Sequence, residues 1–532
     1  MDSEYSSRNY TSFWKKLVFK ATDVTPTPSI YTINPPPYNS ELFSKKDTYH
    51  QKKDVDEDIV NTSNNEQNRV RSRMCNAVHK RKMFNQVLAA TSIALVSLVT
   101  GFVSAFTSPV TESIKNELEI SDKQISWIGG LVPLGALGGG LIGGLLIDVF
   151  GRKSTIFFAN LLFLIGWTCM ALAPSVEYLF AARAITGFSV GIASLAMPIY
   201  LGETIEPKIR GTLGLLPTAF GNIGILICFL AGTYLSWKNL AWLGAVLSLP
   251  FLLLVFVIPE TPRWYMLKQE KKKAFDSLQW FRGLETDVQV EFAHLLHNHK
   301  ETKNNCCVAT TALFQNYWPL VISLGLMFFQ QFCGIPAVIY YTNDIFKMSG
   351  SSIDKNLSTV IVGIVNFIST FIAAVLVDKL GRKILLCISS ISMIATLVTL
   401  GTYFYLIELR VDVNEYGWVP LVSFVIYVLG FSLGFGPVPW LMLGEIFSLQ
   451  TKGIAASIVT AFHWACTFIV TKTFLDIIEI AGPHGVFWIF GIFCITSFVF
   501  VVIWLPETKG KTLQEIEVLV NLRKPTPYTF KP

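Results

Sequence analysis

Asp148-Val149-Phe150-Gly151-Arg152-Lys153 returns 230 residues later as Asp378-Lys379-Leu380-Gly381-Arg382-Lys383. The repeat has company. Gly202-Glu203 with Gly211 recurs as Gly444-Glu445 with Gly453, and Pro259-Glu260-Thr261 recurs as Pro506-Glu507-Thr508, in the same order and at offsets of 242 and 247. Three matches in the same order mark a chain built from two copies of one unit.

Outward from these motifs lie long apolar runs. Hydrophobic residues make up 52% of the 532 and charged residues only 15%, against about 25% charged in an ordinary soluble protein. Runs at 87–108, 126–147, 154–174, 178–201, 211–234, 240–258, 318–342, 358–377, 384–406, 418–442, 454–478 and 485–505 match the roughly 20 helical residues that cross a bilayer. The reading is an all-α membrane protein of twelve transmembrane helices in two six-helix halves. Residues 1–82 form a polar tail without sustained apolar periodicity, expected to stay disordered. Residues 83–258 form the first bundle, 259–317 a linker loop with helix-like stretches around Lys271–Phe281, 318–505 the second bundle and 506–532 a second tail. With the N-terminus inside, the inner segments of the body carry 26 Lys and Arg and the outer loops 6. Both termini are therefore predicted cytoplasmic.

Several classes fall away. The net charge of +6 is too small and scattered for a nucleic-acid binder, and the nine cysteines lack the spacing of a zinc site or a disulfide framework. No cofactor or metal is expected. No apolar stretch near residue 1 suggests a removable signal peptide. The spans offer no paired carboxylates or nucleophile–base arrangement, so an enzyme is not expected. In the tail, Pro35-Pro36-Pro37-Tyr38 is a PPxY pattern that fits a WW-domain protein; a Pro-rich spacer is the plainer alternative.

Two six-helix halves in parallel repeat, joined by a long cytoplasmic loop, suit a rocking-bundle transporter with its substrate held between the halves. The repeated charges then read as a cytoplasmic gate: Asp148, Arg152, Glu203, Arg210 and Glu260 in one half, Asp378, Arg382, Glu445, Lys452 and Glu507 in the other. The alternative is that they anchor helix ends.

The motifs Asp-x-x-Gly-Arg-Lys, Pro259-Glu-Thr-Pro-Arg263, Gln330-Gln331-x-x-Gly334 followed by Tyr340-Tyr341, and Gly436-Pro-Val-Pro-Trp440 resemble the sugar porter family of the major facilitator superfamily over about residues 83–520. Within it, the runs 211–226, 323–331 and 428–437 are similar to the insect facilitated trehalose transporters. The resemblance implies a plasma-membrane transporter whose partners are a small neutral sugar and membrane lipid. A neutral sugar needs uncharged donors, acceptors and aromatic surfaces, and the spans supply them. Gln330, Gln331, Asn366 and Trp440 match sugar-contacting positions of the family, with Tyr340 and Tyr341 beside them. Three positions depart from it. Pro336 stands where the family usually has Asn, His463 where relatives often carry Asn, and Thr218 where Gln is usual. Pro336 is expected to interrupt helical hydrogen bonding.

Arg183, inside the fourth span, is expected either to snorkel outward or to support an extracellular gate. Lys472 and Asp476 share a helix face and are expected to neutralise one another. Proton-coupled sugar porters characteristically carry a carboxylate in the first span, whereas Met83 through Thr111 contain none. Facilitative, proton-independent, bidirectional transport of trehalose is therefore the leading reading. A uniporter for glucose or another hexose, or a non-transporting sugar sensor, are the alternatives. Asn356 in Asn-Leu-Ser is a glycosylation sequon in a predicted outer loop.

Overall fold

A computed structural model describes residues 83–519, apart from short stretches at 207–208, 210–212, 284–285, 303–310, 312, 314–315, 350–354, 412, 448–450, 510, 512–514 and 516–518. The tail with its Pro35–Tyr38 pattern, and Arg210 of the gate set, lie outside the described residues. So do the side chains of Asn356, Asp378, Glu445 and Lys452. All regular structure among the described residues is helical. An apolar medium demands this, because a helix satisfies its backbone N–H and C=O groups within itself.

Helix α1 (Met83–Ala105) continues into α2 (Thr107–Leu118) as one crossing. Four more crossings follow: α3 (Asp122–Phe150), α4 (Arg152–Ala171), α5 (Val176–Thr204) and α6 (Leu216–Gly232). Helix α7 (Trp237–Leu254) completes the first half. The start of α3 is written locally. Ser121 accepts from Gln124 N and the Gln124 side chain accepts from Ser121 N, a reciprocal capping box.

Three short helices, α8 (Pro262–Leu267), α9 (Lys271–Arg282) and α10 (Gln289–Thr302), occupy the linker. The second half comprises α11 (Trp318–Phe332), α12 (Ile335–Met348), α13 (Lys355–Leu380), α14 (Arg382–Glu408), α15 (Val419–Leu433), α16 (Val438–Ile446) and α17 (Lys452–Trp504).

Ten of these helical stretches are long and apolar enough to cross a membrane. Two features bring the crossings to the expected twelve. Helix α6 is apolar and a little shorter, and α17 at 53 residues is about 80 Å long at 1.5 Å per residue. It bends at Gly482 (φ 69°), with Pro483 next to it, so its two limbs make two passes where the sequence predicts two spans.

The halves meet along two lateral seams, α3 on α17 and α6 on α13. A third contact, α2 on α12, lies at the end of the bundle away from the Gly151 and Gly381 turns. The end carrying those turns and α8–α10 is the Lys/Arg-rich face. At the opposite face Lys347 Nζ stands 3.6 Å from Glu112, Asn343 N donates to Ser108 Oγ (3.2 Å) and Lys472 Nζ donates to Ser126 Oγ (2.9 Å). Lys472 and Asp476 do pair, at 3.9 Å, and the ammonium also lies over the Trp127 ring.

Candidate functional site

Two crossings of the second half are broken at sites of matching chemistry. Between α11 and α12 the chain turns through Gly334 at φ 99°, where an added Cβ would come within 2.5 Å of the Phe490 ring. Pro336 falls in the first turn of α12, where an N–H has no intrahelical acceptor to lose. The expected interruption by Pro336 is thus corrected: Gly334 makes the break and Pro336 starts the new helix. Between α15 and α16 the break runs through Gly434–Pro437.

The breaks serve each other. Gln330 Nε2, on α11, donates to the carbonyl oxygens of Phe435 and Gly436 at 2.7 and 3.1 Å. Tyr427, on α15, donates its hydroxyl to the Cys333 carbonyl at 2.9 Å. Each broken helix thus supplies a side-chain donor to backbone exposed in the other.

Beside these breaks is a cavity of about 220 Å³ between the halves, lined by 21 residues of which none is Asp, Glu, Lys or Arg. Gln331 Nε2 donates to Gln330 Oε1 (3.3 Å) and lies 3.1 Å from His463 Nδ1, while Thr467 Oγ1 donates to Gln331 Oε1 (3.0 Å). Across the α6–α13 seam Asn366 Nδ2 donates to Asn222 Oδ1 (3.3 Å) and Asn222 Nδ2 to Thr370 Oγ1 (2.5 Å), while from α15 Ser432 Oγ donates to Asn366 Oδ1 (3.0 Å). Trp440 and Trp464 stand edge-on to the His463 ring. The buried Tyr340 hydroxyl shares the cavity wall with Ser104. Amides, hydroxyls and indoles on an uncharged wall can hold a polyhydroxylated ring by its rim and its apolar faces.

Seven of the eight residues expected to bind substrate line this one cavity: Gln330, Gln331, Asn366, Trp440, Tyr340, Thr218 and His463. Tyr341 does not. Next to Tyr340 on a helix it faces about 100° away, and its own backbone is non-helical (φ −128°, ψ 22°). Its ring stacks on Phe474 and its hydroxyl donates to the Thr471 carbonyl, so it packs α12 against α17. Sequence reasoning missed Asn222, Thr370, Ser432, Thr467 and Trp464. Spacing held a signal, since Asn222, Thr370 and Thr467 stand one helical turn beyond Thr218, Asn366 and His463.

At the basic face the repeated motifs adopt one repeated geometry. Glu260 Oε2 accepts from Lys153 N (2.8 Å) at the start of α4, and Glu507 accepts from Arg382 N and Lys383 N (both 3.0 Å) at the start of α14. Anionic carboxylates at helix N-termini complement the helix dipole. Gly151 (φ 96°) and Gly381 (φ 95°) precede these helices, and a Cβ at either would stand 2.5 or 2.7 Å from the capping carboxylate. Burial pushes the Glu260 carboxyl up from its ordinary value, against the opposing pull of its hydrogen bonds and Arg152. Arg152 pairs with Glu203 at 3.1 Å, and Glu203 also accepts from Thr261 Oγ1 (2.7 Å). Asp148 is exposed, 4.0 Å from Arg152. Each of these contacts lies within a single half. The linker joins the first half: buried Arg282 donates to the Thr204 carbonyl (2.8 Å) and to Glu291, and Asn85 Nδ2 donates to the Trp280 carbonyl (2.6 Å).

Arg183 is fully buried and does not snorkel. It donates to the carbonyls of Ile128 and Val103 (both 3.1 Å) and to Thr107 Oγ1 (2.7 Å), with its guanidinium over Phe106. One side chain thus ties α5 to α1, α2 and α3.

Comparison with known proteins completes the description. A family model described as "Sugar (and other) transporter" matches residues 82–520. The chain is 54% identical over 442 residues to the facilitated trehalose transporter Tret1 of Aedes aegypti, a match covering 82% of this chain and 55% of that protein. It is 54% identical over 443 residues to Tret1 of Culex quinquefasciatus, covering 82% of this chain and 85% of the relative. The chain therefore spans about half the length of the first relative and most of the second. Among solved structures, that of the major facilitator superfamily proton:xylose symporter XylE bound to 6-bromo-6-deoxy-D-glucose superimposes with a TM-score of 0.70 at 28% identity, covering 83% of this chain and 99% of XylE. An inward open conformation of the xylose transporter XylE from E. coli gives 0.68 at 27%, covering 81% and 99%.

Proposed function

The chain belongs to the sugar transporter family, and from that premise we propose that it is a facilitative trehalose transporter working by alternating access in either direction. The observation that carries this reading is the cavity wall between the halves, made of amides, hydroxyls and indoles with no ionisable acid or base of full charge. Gln330, Gln331, Asn366, Trp440, Tyr340, Thr218 and His463 hold the sugar. The resemblance at 54% identity to relatives named facilitated trehalose transporters supports the substrate. The absence of Asp and Glu from Met83 to Thr111 supports transport without a proton.

The membrane is the plasma membrane, the basic face is cytoplasmic and the α2–α12 contact closes the outer side. Asp148, Arg152, Glu203, Arg210 and Glu260 in the first half and Asp378, Arg382, Glu445, Lys452 and Glu507 in the second form the cytoplasmic gate. The sequon at Asn356 carries glycan. Pro35–Tyr38 docks a WW-domain protein.

Uptake of labelled trehalose and D-glucose by cells expressing the full chain, across pH and with a protonophore, tests the reading. Trehalose uptake unchanged by the protonophore is expected. Glucose uptake without trehalose uptake rejects the substrate, and collapse with the protonophore rejects uncoupled transport.

A further inference from the structure

The amide orientations in the cavity follow from one fixed point. The carbonyl oxygens of Phe435 and Gly436 can only accept, so the Gln330 atom facing them is Nε2. Gln330 Oε1 is thereby turned toward Gln331, which must present its own Nε2, at 3.3 Å. The second proton of that group points at His463 Nδ1, 3.1 Å away, while Gln331 Oε1 accepts from Thr467. Two N–H groups cannot form a hydrogen bond with each other. His463 Nδ1 is therefore the bare nitrogen, the ring is neutral, and its proton sits on Nε2. The carbonyls of one broken helix fix the tautomer of an imidazole on another.

His463 Nε2 makes no hydrogen bond among the described residues, and the ring lines the cavity. Indoles at 4.9 and 5.0 Å hold the ring in place. Among the described residues the cavity is thus offered two donor-only N–H groups with no acceptor beside them, this one and the Trp440 indole N–H. The amides of Asn222 and Asn366 and the hydroxyls of Ser432 and Tyr340 can both give and accept, as sugar hydroxyls do. A group that only donates matches an oxygen that only accepts.

We propose that His463 is a specificity-determining residue whose Nε2–H donates to a proton-free ether oxygen of the substrate, the ring or glycosidic oxygen of an acetal sugar. This rests on the cavity being the sugar site. An Asn at this position would offer acceptor and donor alike and suit a hydroxyl equally well. The imidazole moves the selection from hydroxyl to ether.

The test is uptake by cells carrying the full chain or its His463→Phe variant, which keeps an aromatic ring and removes the donor. The substrates are trehalose, D-glucose and analogues with the ring or bridging oxygen replaced by CH2. The unaltered chain should transport at least one ether-replaced analogue about tenfold less efficiently than its parent, the value of one neutral hydrogen bond. His463→Phe should reduce that ratio to about threefold or less. Equal ratios in the two chains overturn the proposal. If the unaltered chain takes up neither parent sugar, the sugar-site reading itself fails. A readout independent of any variant is the nitrogen spectrum of the purified full chain labelled with ¹⁵N-histidine. Its solvent-shielded imidazole should show a protonated Nε2 and a bare Nδ1, and a proton on Nδ1 overturns the proposal.

Discussion

Arg183 shows how a single charge is tolerated deep in a membrane bundle. Its guanidinium is planar and offers five donors, and the sequence surrounds it with acceptors from three other helices. Of the roles expected for it from sequence, the outward reach does not match this geometry, because two of the three acceptors are backbone oxygens with no sequence signature. Truncation would strand two buried carbonyls and the Thr107 hydroxyl. Arg183→Ala should destabilise the protein by about 1–3 kcal/mol, the usual cost of leaving buried acceptors without their donor. Arg183→Lys, with one ammonium in place of a fork, should recover only part of it. Thermal unfolding of the purified variants in detergent measures both. An Arg183→Ala midpoint equal to that of the unaltered chain would show that the clamp contributes nothing to stability.

At the scale of elements, the two helix breaks behave as one feature. Gln330 serves the carbonyls at the α15–α16 break and Tyr427 serves the α11–α12 break, so each donor depends on the other helix staying unwound. Gln330→Met and Tyr427→Phe should each cost about 1–3 kcal/mol by leaving a buried carbonyl without its donor. Combined, they should depart from additivity by at least about 0.5 kcal/mol, since loosening one break displaces the acceptor of the other. Strictly additive unfolding midpoints would show two independent breaks. The breaks themselves were legible, because Gly334 and the Gly436-Pro-Val-Pro-Trp440 run announce them. The Gln pair and Trp440 were legible for the same reason, being rare polar or bulky groups next to a break. Thr370 and Thr467 were not. Their hydroxyls also bond the carbonyl four residues back, as Ser390 and many other membrane-helix hydroxyls do, so apart from their one-turn spacing from Asn366 and His463 the sequence does not separate a cavity wall from ordinary back-bonding. Tyr341 failed differently, since adjacency to Tyr340 in sequence becomes a turn of about 100° on a helix.

At the scale of the whole molecule, the repeat that decides the fold also sets the mechanics. Carboxylate caps on α4 and α14, with Gly151 and Gly381 before them, make each half rigid at its basic end. Motion is then left to the seams between halves. The contact of α2 with α12 is one such seam, and its ion pair between Glu112 and Lys347 lies at the exposed rim. Alternating access requires this contact to part once in every cycle. Glu112→Cys with Lys347→Cys, bridged by a short bifunctional methanethiosulfonate, should therefore cut sugar uptake to about a tenth or less. A reductant, by cleaving the bridge, should restore it. Each single variant treated with the same reagent controls for reaction at the native cysteines. Full uptake in the bridged protein would show that the seam never opens, and the moving contact would then have to be sought along α3–α17 or α6–α13.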